Sequence, residues 1–110
     1  MEITSLTALA VDQLKVAEDA SSGRSSHTVY GGQQHLLSQT VIALAAGQRL
    51  QEHENPGEAT VHVLHGRIRL GAGDTVWDGS PGDLLIVPDS PHTLEALETA
   101  AVLLTVAKRR

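Results

Sequence analysis

The spacing of the glycines constrains this chain more than any other feature. From Gly31 onward they recur at near-regular intervals: Gly31-Gly32, Gly47, Pro56-Gly57, Gly66, Gly71, Gly73, Gly79 and Pro81-Gly82. Between them lie short runs rich in Val, Ile, Leu and Thr, bounded by turn-forming residues and too brief for ordinary helices. Strands returning every ~8–12 residues between turn signals are the pattern of an all-β barrel or sandwich. Strands are expected near Thr28–Tyr30, His35–Ala45, Ala59–His65, Arg67–Leu70, Thr75–Trp77, Asp83–Val87, Thr93–Leu97 and Ala100–Val106.

The first segment differs. Leu6, Leu9, Ala10, Leu14 and Ala17 recur at helical spacing, with Asp12, Lys15, Glu18 and Asp19 on other faces. A short amphipathic helix is expected from Ser5 to about Ala20. Thr4 or Ser5 would cap it, and the run from Ser21 to Ser26 would end it in a loop. The chain thus divides into an N-terminal helix and loop, residues 1–27, and a β-barrel domain, residues 28–110.

Alternation says what the strands face. In Arg67-Ile68-Arg69-Leu70 the arginines share one face and the aliphatics the other, as in a strand with one side in water. In the segments Leu36–Ala45 and Ala100–Val106 both faces are apolar, so both need cover. A partner subunit or the N-terminal helix must supply it, and a homodimer is expected.

Several function classes are excluded by what the chain lacks. Tyr30 and Trp77 are its only aromatic residues, and its formal charge is −5. It therefore offers neither the stacking platform nor the basic groove that single-stranded nucleic-acid binders use. With no cysteine, there is no disulfide framework, thiolate metal site or cysteine nucleophile. No signal-like N-terminus and no apolar run of ~18 residues is present, so a cytoplasmic protein without membrane contact is expected. No nucleophile elbow or phosphate-cradling glycine loop occurs either, and no catalytic residue is assigned.

Two stretches between Gly47 and Ala96 carry a resemblance. The first has Gly47, then His53, then Asn55, and closes on Gly66; the second is Gly82-Asp83-Leu84-Leu85-Ile86-Val87-Pro88 followed by His92. Together they resemble the paired motifs of the cupin superfamily, whose fold is a double-stranded β-helix, or jelly-roll barrel. The resemblance implies that four positions in the barrel interior correspond to metal ligands in the family. Here His53 and His92 keep two of them, Asn55 stands at the second histidine, and Ala59 stands at the carboxylate; Ala96 replaces the asparagine that ends the second motif.

The resemblance implies a depleted site. Histidines on facing strands, with a carboxylate, suit Fe, Mn, Ni or Zn, but two imidazoles and an amide make a weaker, less charged set. Glu58 lies one residue before the carboxylate position, and only a bulge could turn it inward. Strict parity places Ala59, Val61, Val63 and His65 on the inner face. It also puts Leu50 on the face opposite His53, so that stretch is either irregular or buried on both sides. The expected ligand pocket is His53, Asn55, Ala59, Val61, Val63 and His92, taking a small, largely apolar molecule. The alternatives are a mononuclear metal enzyme, with His53, His92, Asn55 or Glu58 around one divalent ion, and a dimeric interaction module whose site is lost. His27, His35, His62 and His65 are expected at the surface or an interface, Trp77 in packing or a subunit contact, Arg24 in solvent, and Asp83 in a turn.

Overall fold

The computed structural model describes residues 2–53 and 57–109. Among these residues one helix, α1 (Leu6–Asp19), precedes nine strands: β1 (Arg24–Tyr30), β2 (Leu37–Leu44), β3 (Arg49–His53), β4 (Gly57–His65), β5 (Ile68–Ala72), β6 (Thr75–Gly79), β7 (Leu84–Ile86), β8 (His92–Ala96) and β9 (Ala100–Lys108). Two antiparallel sheets result, one ordered β1-β2-β9-β4-β7 and the other β3-β8-β5-β6.

The pairing is nested. β5 pairs with β6, β4 with β7, β3 with β8 and β2 with β9. From β2 to β9 the chain is therefore one long hairpin, and its successive pairs fall alternately in the two sheets. Winding a hairpin in this way produces the jelly-roll barrel expected from the sequence. Its tip is the two-residue link Gly73-Asp74, with φ of +58° at Gly73, the geometry a glycine supplies at the first position of a tight hairpin turn.

Alternation builds the core. β4 and β8 bury every second residue, Ala59, Val61 and Val63 on one and His92, Leu94 and Ala96 on the other. These meet Ile68 and Leu70 of β5, Leu44 of β2 and Val102 of β9 in one aliphatic cluster. The outer face of the five-stranded sheet is apolar as well, and α1 covers it: Ala10, Leu14 and Ala17 pack on Ala43 and Ala101, with Leu64 beside them. Small residues on both elements let helix and sheet approach closely. The Ser5 side chain accepts a hydrogen bond from the Ala8 N–H at 3.2 Å and so caps the helix.

Three local expectations change. The Ser- and Arg-containing segment read as loop begins β1 at Arg24, because β2 offers an edge to pair with. β3 falls where no strand was expected. His65 leaves the inner face, since the register of β4 against β9 shifts between Val63 and His65; Leu64 packs toward the helix and His65 is exposed.

Candidate functional site

The two motif positions, 53 and 92, pair across β3 and β8 at one end of the four-stranded sheet. β3 pairs with β8 so that Leu50 opposes Leu94 and position 53 opposes His92, with a register shift between them. Three steps along β3 thus match two along β8, the signature of a bulge. This irregularity resolves the parity conflict in the sequence: positions 50 and 53 both oppose inward-facing residues of β8. Of His53 only the backbone placement is described, and Asn55 lies outside the described residues.

His92 is the one buried polar side chain among the described residues, with 4% exposure. Its Nδ1 lies 3.0 Å from the backbone carbonyl of Ser90. A carbonyl only accepts, so Nδ1 carries the proton and, in the neutral ring, the lone pair resides on Nε2. Pro91 and the short link from β7 bring the ring to this point. His92 borders a cavity of about 40 Å³, otherwise walled by aliphatic side chains including Ile42, Leu50, Val61, Leu70, Leu94 and Leu104. Pockets for whole drug-sized ligands run to ~300–1,000 Å³. This one has room for a few water-sized groups.

The remaining expected residues sort by face. Val61 borders the cavity, whereas Ala59 and Val63 are packed into the surrounding core without reaching it. Glu58 is exposed on the outer side of β4, opposite Ala107, so no bulge turns it inward. Ala59, at the carboxylate position, is 4% exposed among aliphatic neighbours, and its carbonyl accepts from the Val87 N–H at 3.0 Å. No three His, Asp or Glu side chains converge among the described residues. Two imidazoles, an amide and a buried alanine do not fit the three-histidine, one-carboxylate set that the resemblance implies.

Outside this site His35 packs on Tyr30, ring centroids 4.8 Å apart, and hydrogen-bonds its hydroxyl at 3.2 Å. The Asp83 carboxylate accepts from the Ser80 N–H at 2.8 Å, a turn role. Trp77 is half exposed on β6, near the exposed Leu84 and Ile86 of β7. No described helix is long and apolar enough to cross a membrane.

The profile of the cupin domain matches residues 40–107, more than half the chain. Among solved structures, a conserved protein of unknown function from Streptococcus pyogenes is 28% identical, with a TM-score of 0.74, over 83% of this chain and 79% of that one. An RmlC-like cupin from Desulfovibrio desulfuricans is 28% identical, with a TM-score of 0.66, over 76% and 81% of the two chains. A cupin superfamily protein from Desulfitobacterium hafniense shares the fold at 20% identity and a TM-score of 0.72, over 78% of each. No curated protein matches the sequence.

Proposed function

This chain belongs to the cupin domain family, and from that premise we propose that it is a small-molecule-binding cupin whose contact point is the barrel mouth at His92, opposite position 53. The observation that carries this reading is the buried imidazole of His92, the one buried polar side chain among the described residues, its ring held by Ser90 and set against an otherwise aliphatic cavity. The volume sets the ligand's form. A polar group meets His92, a branched apolar arm of a few heavy atoms enters beside Val61 and Leu94, and the rest stays outside the cavity. A large apolar molecule wholly inside the barrel does not suit a space of about 40 Å³.

The test uses isobutanol, isobutyraldehyde and isobutyrate as probes, read by NMR of the His92 ring and the Val61 and Leu94 methyl groups in tag-free protein. At least one probe is expected to move these signals saturably, and Val61→Leu, which fills the cavity, is expected to suppress the effect. Interior methyl signals unmoved by all three probes would remove the reading and favour the interaction module. Metal analysis on the same preparation separates the enzyme alternative: about one divalent ion per chain, lost in His92→Ala, would replace ligand binding by a metal centre. We further propose that the chain self-associates as a homodimer through Val76, Trp77, Leu84 and Ile86, which are exposed along β6 and β7. Sedimentation of Trp77→Ser tests it, with a shift to monomer expected.

A further inference from the structure

The arginines divide into two groups. Arg67 and Arg69 share Asp78, at 3.9 and 2.7 Å, and Arg109 reaches Asp89 at 3.5 Å. The other two described arginines, Arg24 and Arg49, form no ion pair within 4 Å with any described residue, although acidic residues outnumber basic ones thirteen to eight. Glu95 lies directly across the ladder from Arg49 without joining it, and it also neighbours Arg69. Both unpaired arginines border the same concavity, about 600 Å³, together with Gln48 and Thr93.

Local structure brings them together. Arg24 opens β1 and Arg49 opens β3, and the segment between β2 and β3 folds back so that the Ala45 N–H donates to the Gly23 carbonyl at 2.8 Å. Gly23 has φ of +68°, and a Cβ there would stand 2.7 Å from Cγ of Gln48. Glycine therefore lets the Gln48 side chain lie against the start of β1, next to Arg24. The concavity is on the outer wall, and Arg49 is four residues along β3 from position 53, roughly 13 Å at strand rise. It is separate from the His92 cavity.

We propose that this concavity is an oxyanion-binding site, which takes the carboxylate or phosphate group of a small molecule between Arg24 and Arg49. Two guanidinium groups line one space, and an oxyanion between them would be attracted by both. Their planar forks match the two oxygens of a carboxylate or phosphate. The Gln48 amide and Thr93 hydroxyl add neutral donors at the same wall.

The experiment titrates the tag-free full chain with sodium phosphate and, in a separate arm, sodium citrate. Binding is followed through the arginine Nε–Hε NMR signals, against sodium chloride of equal ionic strength. The expected result is a saturable shift of Arg24 and Arg49, weakened at least tenfold in Arg24→Gln and in Arg49→Gln and unchanged in Arg67→Gln. Arg49→Lys, which keeps the charge but loses the fork, is expected to bind more weakly than the native chain. Response to phosphate alone identifies a phosphate ligand, response to citrate alone a carboxylate, and response to both the shared chemistry. Shifts that match the chloride control, or affinity unaltered in both Arg→Gln variants, would overturn the proposal. The His92 signals report the barrel mouth in the same spectra, so the two sites succeed or fail separately.

Discussion

The two sheets turn similar inner faces toward each other and opposite outer faces to their surroundings. On the five-stranded sheet the outer residues Val41, Ala43, Ala101 and Leu103 are all buried, and α1 lies over the Ala43–Ala101 end. On the four-stranded sheet the outer row runs Arg49, Glu95, Arg69, Asp78 from strand to strand, alternating in sign, and no helix packs there. A helix is needed where strands are apolar on both sides. A charged face needs none and stays open to solvent, while the interior shared by both sheets is, among the described residues, filled with aliphatic packing around His92.

If the inner faces form one core, truncating either sheet's contribution must be severe. Leu70→Ala, on the four-stranded sheet at 2% exposure, is expected to lose ~2–5 kcal/mol of stability by urea denaturation. The existing cavity beside it gives neighbours little to collapse onto, which favours the upper half of that range. A loss below ~1 kcal/mol would mean that the four-stranded sheet is a loosely attached flap.

The outer faces should then respond oppositely to added volume. Ala101→Leu drives a larger side chain into the helix–sheet contact, where Ala101 has no exposure, and is expected to destabilise by ~1–3 kcal/mol. Gly71→Ala adds a methyl on the open face of β5, where the tightest neighbour is the Thr93 hydroxyl at 3.1 Å. That side chain can turn aside, so the change is expected within ~0.5 kcal/mol. Equal effects at the two sites would erase the distinction. A finer probe of the helix cover is Ser5→Ala, which removes the cap and is expected to lower stability by ~1 kcal/mol.

The same contrast explains what could be read from the sequence. A cap at Thr4 or Ser5, of which the helix uses Ser5, the glycine skeleton and the charged face of Arg67 and Arg69 follow from local rules of spacing and alternation, and all are in the structure. β3 was not legible, because Leu50 is its only aliphatic residue and its partner β8 is far away in sequence. β1 was hidden for the same reason: Arg24-Ser25-Ser26 has no strand pattern until β2 supplies an edge. The site suffered most. The pairing of position 53 with His92 depends on a bulge after Leu50 that alternation signals only as a parity conflict, and the small size of the cavity is set by how Leu50, Leu70 and Leu104 pack. Arg24 and Arg49 are twenty-five residues apart, and only tertiary structure puts them on one wall.

The smallest expected effect concerns how the four-stranded outer face is held. Arg69 donates to both Asp78 oxygens, at 2.7 and 3.1 Å, and this hydrogen bonding, aided by the charges of Arg69 and Arg67, keeps the Asp78 carboxyl below its ordinary pKa. A carboxyl with a lower pKa in the folded state stabilises the fold above its unfolded pKa, near ~4, and loses that contribution as pH falls through the folded value. Arg69 is raised by the same contact, so its contribution is lost only at strongly alkaline pH. The groups are solvent-facing and screened by salt, so native and Asp78→Asn proteins should differ only slightly in thermal midpoint near ~pH 7. That difference should shrink below ~pH 4 and also in ~1 M salt. A difference that persists under both conditions would show that Asp78 acts through shape and neutral hydrogen bonding, so that packing holds this face as α1 holds the other.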